Sequence, residues 1–270
     1  FKQKTAYEIR LSLVGSEMCI RDRYKPAGIF NLAAETHVDR SIDGPKVFIE
    51  SNIVGVFNLL EFFRKFSKKN PTSKLIHIST DEVYGDLDKL NIDASFEQNF
   101  LYPSSYYSAT KASADMLVHS CGHTFGLPYV ITRTCNNFGI RQHEEKFIPT
   151  IKKSIEADKP IPVYGKGENI RDWIYVKDHC RAILDLWYVG GQGEKYNIGG
   201  ECEVKNIDLV KMIIKIMGAS EDLIQYVDDR PGHDLRYAID NAKIKNTVAF
   251  KPEYSLMDGL TKTIEWYENT

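Results

Sequence analysis

The sequence predicts an α/β protein built on a doubly wound parallel sheet, with a smaller mixed α/β lobe attached. Three observations carry that expectation. Short apolar runs at residues 29–34, 74–79 and 128–133 alternate with two long segments of helical periodicity, the β-α-β-α-β rhythm of a parallel sheet. The first two runs end in small or polar residues, Ala33-Ala34 and Ser79-Thr80, as buried strands do where their C-terminal ends face a ligand. After Asn136-Asn137 the rhythm breaks into shorter pieces.

Taken in order, residues 1–23 have no useful periodicity and are expected to be an ill-fitting leader. Ile29 to Ala34 reads as the first strand, and Glu35 to Ser41 as a polar loop at its mouth. Pro45 opens a helix on which Ile53, Val56, Phe57, Leu60 and Phe63 share a face, and Arg64 to Lys69 load its last turn with cations. Lys74 to Ser79 is the next strand, closing a β-α-β unit whose crossover is expected to be right-handed. Residues 85–103 read as a polar loop. A helix over residues 104–124 carries Ala109, Ala112 and Ser113 for close packing, and Pro128 to Arg133 is a third strand. Beyond it the expected elements are a helix over 148–158, a strand over 161–164 interrupted by Pro162, a Gly165-Lys166-Gly167 turn and a strand piece over 174–176. A helix over 176–188, a strand over 196–200 and a helix over 206–217 stopped by Gly218 follow. Ser255-x-x-Asp258 resembles a capping box for the final helix through Tyr267.

At 270 residues the chain suffices for one large or two modest domains. With 35 Lys+Arg against 37 Asp+Glu, its net charge of -2 gives no support to a nucleic-acid footprint or a polybasic membrane patch, so neither partner is expected. No apolar run reaches the ~18 residues of a membrane span. The five cysteines, Cys19, Cys121, Cys135, Cys180 and Cys202, form no C-x-x-C motif or Cys/His cluster. No metal site or disulfide framework is expected, and the cytoplasm is the simplest compartment.

Two stretches carry candidate chemistry. Tyr107 and Lys111, at i and i+4, lie on one face of a helix. A neighbouring cation lowers a phenol's pKa, and such a phenol can take a proton from a hydroxyl as hydride leaves the same carbon. Thr80, Asp81 and Glu82 stand at the C-terminal end of a buried strand. On an extended backbone the two acids point apart. One can donate a proton and the other accept one if their surroundings separate their pKa values.

Several longer motifs then converge. Asn31 through Ser41, Ser79 through Gly85, Tyr107 through Ala112, Arg133 through Gly139, Val163 through Gly167, Arg171-Asp172-Trp173 and Asp229 through Asp234 resemble, in order, the nucleotide-sugar 4,6-dehydratases. These belong to the extended short-chain dehydrogenase/reductase family, and those acting on dTDP-glucose match best. The resemblance spans about residue 25 to 268. It implies a Rossmann-like NAD-binding domain, here partial, over 24–138, and a mainly nucleotide-sugar-binding lobe over 139–270 that returns some strands and helices to the main sheet.

The resemblance also implies roles. Tyr107 takes the proton of the sugar 4-hydroxyl, with Lys111 lowering its pKa and holding the nicotinamide ribose. Thr80 bonds the 4-oxygen, Glu82 removes the C5 proton and Asp81 protonates the departing 6-hydroxyl. Leu32, Ala33, Ala34, Thr36, Ser51, Tyr107, Lys111 and Asn137 match cofactor-lining positions. Thr36, Thr80, Asn136, Lys146, Phe147, Pro162, Val163, Tyr164, Arg171, Asn206, Arg230 and His233 match substrate positions. Asn206 also reads as a helix N-cap. The implied assembly is a homodimer through the helix bearing Tyr107. A nucleotide-sugar 4-epimerase, and an inactive fragment that only binds sugar nucleotide, stand as alternatives.

The chain departs from the family pattern in two places. The segment 139–146 differs from the commonest bacterial form, although Lys146 is kept, which leaves thymine and uracil open as the base. The glycine-rich Gly-x-x-Gly-x-x-Gly turn of the family is not found. The expectation is a sheet lacking its first strands, an apolar edge left unpaired beside the strand ending at Ala34, and weak NAD binding.

Overall fold

A computed structural model of the chain describes residues 26–90 and 93–269. The expected leader lies outside the described residues.

Four parallel strands form the main sheet in the order β1 (Gly28–Asn31), β2 (Lys74–Thr80), β3 (Tyr129–Thr134), β7 (Glu194–Ile198). Among the described residues β1 has a neighbour on one side only. It is shorter than its apolar run suggests, so Leu32, Ala33 and Ala34 continue past the sheet without regular structure. The expected loop over 35–41 is helical from Val38: α1 spans Val38–Asp43. Pro45 sits at the first position of α2 (Pro45–Phe48), which runs through a π-helical segment, Ile49–Val54, into α3 (Gly55–Ser67). The π segment turns Ser51 and Asn52 inward. Asn52 exchanges two hydrogen bonds with the backbone of Glu35, at 2.9 and 3.0 Å, and donates to Thr110 Oγ1 at 3.0 Å. That ties the segment after β1 to the helix that bears Tyr107.

Residues 85–103 are less loop-like than their composition suggests. A one-turn helix, α4 (Leu87–Leu90), follows Asp86, and Ser95 bridges to Ile239. Helix α5 (Tyr106–Phe125) opens with a capping box between Ser105 and Ser108. The second half adds β4 (Asn136–Phe138), α6 (Phe147–Glu156), β5 (Ile161–Tyr164), β6 (Ile170–Tyr175), α7 (Val176–Val189), β8 (Glu203–Lys205), α8 (Asn206–Met217), β9 (Ile224–Val227), α9 (Ala242–Val248) and α10 (Leu256–Glu268). Strand β6 joins β4 in parallel and β8 antiparallel, and β5 pairs with β9. Pro162 does not interrupt β5: it is exposed in a two-stranded pair, where a missing N–H is tolerated. Ser255 caps α10 by accepting from the Asp258 amide at 3.1 Å, as its spacing predicts. Lys205, not Asn206, occupies the N-cap of α8, with no side-chain cap bond.

Helices cover both faces of the main sheet. Val56, Leu60 and Phe63 of α3 and Ala114 and Val118 of α5 pack with Leu75, Tyr129 and Ile131. On the other face Ala182, Ile183 and Leu186 of α7 and Ile244 of α9 pack with Ile76, Val130, Tyr196 and Ile198. A separate core joins Phe138, Ile148, Ile161, Trp173, Leu209 and Leu260 in the second half. The C-terminal ends of β1, β2 and β3 open into the space between these two bodies.

Candidate active site

A cleft of about 580 Å³ lies at those strand ends. Its floor is set by the end of β2. Thr80 is the last strand residue, and Asp81–Tyr84 wind into a 3₁₀ turn whose first free amide, Glu82 N, donates to Thr80 Oγ1 at 3.3 Å. Gly85 ends the turn with φ +84, and a Cβ there would lie 2.2 Å from the Tyr102 carbonyl. The two acids are therefore not on extended backbone as expected. They diverge because neighbours in a 3₁₀ turn are rotated by about 120°. Helix α5 delivers Tyr107 and Lys111 from the side. The Tyr107 amide donates to Ser41 Oγ at 3.3 Å, and Lys111 Nζ donates to the Ile78 carbonyl at 2.7 Å.

Asp81 and Glu82 have different electrostatic surroundings. Asp81 is buried, accepts from Thr80 Oγ1 at 3.2 Å, and leaves its other oxygen without a partner among the described residues. Burial, with the charges of Glu82 and Asp172 nearby, pushes its carboxyl up to about 8. Glu82 is open to the cleft. Burial raises its carboxyl too, but Arg171, Arg230 and Lys146 all pull the other way. At neutral pH Asp81 is thus an acid with a proton to give, while the rise at Glu82 is partly offset by these cations.

The phenol behaves differently from expectation. Burial, with Glu82 adding to it, raises the Tyr107 pKa, and a hydrogen bond from Thr80 only partly offsets this. Burial also brings the Lys111 ammonium down to about 8, and one of its three N–H groups donates to the Ile78 carbonyl. In this structure the phenol is neutral.

The outer half of the cleft is lined with cations already engaged. Lys146 Nζ donates to Thr36 Oγ1 and O at 2.8 and 3.0 Å. Arg230 contacts Asp39 Oδ1 at 2.8 Å, and the Tyr164 hydroxyl donates to Asp39 Oδ2 at 3.1 Å. Arg171 is buried, as is Asp172, so they are not a surface ion pair. Arg171 donates to the carbonyls of Ile170, Asp234 and Leu235 and lies 4.4 Å from the Tyr237 ring centroid. His233 meets Asp229 Oδ1 at 2.6 Å and packs edge-on against Tyr164.

Nearly every residue singled out in the sequence lines this one cleft: Leu32, Ala34, Thr36, Thr80, Asp81, Glu82, Tyr107, Lys111, Asn136, Asn137, Lys146, Phe147, Pro162, Val163, Tyr164, Arg171, Asn206, Arg230 and His233. Ala33 and Ser51 do not; Ala33 is exposed, and Ser51 is buried in the π segment.

Comparison with known proteins agrees with this grouping. The family model described as GDP-mannose 4,6 dehydratase matches residues 18–263. A dTDP-glucose 4,6-dehydratase of Escherichia coli is 48% identical over 91% of this chain and 74% of its own length. One from Haemophilus influenzae is 43% identical over 92% and 78%. The chain belongs to the nucleotide-sugar 4,6-dehydratase family. Among solved structures of the family, the dTDP-glucose 4,6-dehydratase DesIV of Streptomyces venezuelae, with NAD and TYD bound, superposes with a TM-score of 0.87 at 38% identity. That match covers 94% of this chain and 77% of the other.

The family site also contains residues that motif reading passed over. Asp39, Glu145 and Tyr237 line the cleft from three separate segments. Beneath it, Asp115 accepts from Arg133 Nε at 2.9 Å, and Arg133 reaches the Tyr84 hydroxyl at 2.9 Å, which in turn donates to Asn197 at 2.8 Å. Asp115 was findable, since it stands one further helical turn from Lys111 on the same face. Asp39 and Tyr237 carry no such local signal.

Proposed function

We propose that this protein is a dTDP-glucose 4,6-dehydratase, a hydro-lyase that converts the nucleotide sugar to its 4-keto-6-deoxy form and water using bound NAD. The observation that carries the reading is the pair Asp81 and Glu82: adjacent in sequence, lining one cleft, and set in different surroundings, Asp81 raised to about 8 by burial and like charge, Glu82 with cations that oppose its rise. Elimination of water needs one acid and one base on neighbouring carbons, whereas C4 epimerisation needs neither.

Orphaned polar atoms fit the cofactor. Asn137 Oδ1 in the cleft and Ser51 Oγ in the adjoining π segment are buried and without partners among the described residues. Leu32, Thr36, Ser51, Lys111 and Asn137 would hold it. When bound, NAD supplies a cationic ring and a two-electron acceptor that takes the C4 hydrogen and gives it back at C6. The chain's residues do the proton work. Tyr107, once the positive charge then present has drawn it to its phenolate, removes the 4-hydroxyl proton. Glu82 takes the C5 proton, Asp81 gives its proton to the 6-hydroxyl, which leaves as water, and Glu82 later returns its proton to C5. One proton then remains on Tyr107 and one is missing from Asp81. Thr80, hydrogen-bonded to both side chains, provides the path that resets the pair. Lys146, Arg171, Arg230 and His233 hold the diphosphate, with Tyr164 and Asn206 at the nucleoside, on the lobe over residues 139–270.

A homodimer through α3 and α5 completes the reading. Phe57, Tyr106, Met116 and Phe125 are all more than half exposed on these two helices. No helix among the described residues is long and apolar enough to cross a membrane, and we place the enzyme in the cytoplasm. Proton NMR of the product from dTDP-glucose and NAD tests the function. A C6 methyl signal is expected; a galactose-configured product overturns the reading.

A further inference from the structure

The segment from Thr36 through α1 crosses the mouth of the cleft and meets the opposite wall at three points. Thr36 accepts from Lys146, Asp39 accepts from Arg230 and Tyr164, and Arg40 pairs with Glu145 at 2.6 Å. Two of the three engage cations assigned above to the diphosphate. Asp39 is the only carboxylate among these contacts that sits directly on such a cation. Its partial burial disfavours the charge, but the hydrogen bonds from Arg230 and Tyr164 more than offset this and keep its carboxyl below the ordinary value. The contact uses one guanidinium nitrogen, Nη1, at 2.8 Å. Arg230 Nε stays buried without a partner among the described residues. Asp39 therefore holds Arg230 through a single guanidinium nitrogen, whereas a phosphate can take two donors of one edge together.

We propose that Asp39 is a resident anion on Arg230 that the incoming nucleotide must displace, and that it thereby sets a preference for nucleoside diphosphates over monophosphates. One phosphate merely exchanges for the carboxylate, and only the second adds net attraction. A ligand that fails to displace Asp39 meets its negative charge at close range. The inference rests on the nucleotide-binding reading of this cleft.

Calorimetric titration of the chain with dTDP and with dTMP tests it. Asp39→Asn should tighten dTMP by about three- to tenfold, as expected for removing one partly exposed ionic competitor. It should tighten dTDP less, so that the ratio of the two affinities narrows. Asp39→Ser, which also removes the charge, should do the same if the amide variant folds poorly. In an Arg230→Gln background the gain should vanish, because the competition is for that side chain. Unchanged or weaker dTMP binding in Asp39→Asn means that the carboxylate only positions Arg230, and overturns the proposal. Failure of the unsubstituted chain to bind dTDP at all removes the nucleotide reading, and this inference with it.

Discussion

The two ends of the cleft do different physical work. At the inner end, Thr80, Asp81, Tyr107 and Lys111 are all buried, and burial is the largest influence on the last three: it raises the acid and the phenol and lowers the amine. At the outer end Lys146, Arg230 and Tyr164 are more open, and their polar groups are occupied by protein partners that a ligand can replace. The inner end stores altered acidity and the outer end stores exchangeable charge. Glu82 stands between them, raised by burial like its neighbour but drawn down by the cations of the outer wall. Reactivity and affinity are thus built from different terms within one cleft.

That division can be broken experimentally. The largest effect is expected at the inner end. Asp81→Asn and Glu82→Gln should each lower dehydration by about 10²–10⁴-fold, the usual contribution of a positioned acid or base, while nucleotide binding stays within a few-fold. Product NMR and a dTDP titration measure the two properties, and a loss of binding equal to the loss of rate would erase the distinction. At the outer end, Arg230→Gln should raise KM by about 10–100-fold with little change in kcat, read from steady-state kinetics.

The pH dependence sharpens the comparison. Activity should fall as pH rises through about 8, where Asp81 loses its proton, and fall on the acid side once Glu82 is protonated. The same shift has a stability consequence. Between the ordinary carboxyl value of 3.8 and about 8, folded Asp81 keeps a proton that the unfolded chain has lost. The folded state binds more protons there, so stability declines as pH rises through that window. Asp81→Asn should therefore be more stable than the parent at pH ~8 by at least about 1 kcal/mol, with the difference shrinking toward pH ~4, in denaturant titrations at both pH values. The smallest effect is expected from Ser105→Ala, which removes the cap of α5: about 1 kcal/mol of stability in the same assay, with kcat lowered only as far as Tyr107 loosens.

The sequence made the main sheet readable because β2 and β3 are short and rich in β-branched and apolar residues and α3 carries a helical apolar stripe. It hid β4, β8 and β9, whose three or four residues are too short for alternation to register and which exist because neighbours pair with them. It also hid α1, whose polar sequence reads as loop and whose one buried residue is Ser41. At the site, Tyr107-x-x-x-Lys111 and Thr80-Asp81-Glu82 are legible as linear motifs. Asp39 and Tyr237 are not, because the fold alone brings them to the cleft. The phenol's surroundings were hidden for a related reason: spacing reveals that a cation is one turn away, but not that both groups are buried.

The pairing of β3 with β7 bears on how the molecule is made. The chain leaves the sheet after β3, builds much of the second core, and only then supplies the strand that covers β3's other edge. During synthesis, β3 must wait with that edge open until Ile198 has emerged, although the elements bearing Thr80, Asp81, Glu82, Tyr107 and Lys111 are already complete. Long-range parallel pairing of this kind is slow, and the exposed strand is the segment where a nascent chain is most open to capture by another copy. The catalytic groups are therefore made early, but the sheet that holds them is closed late.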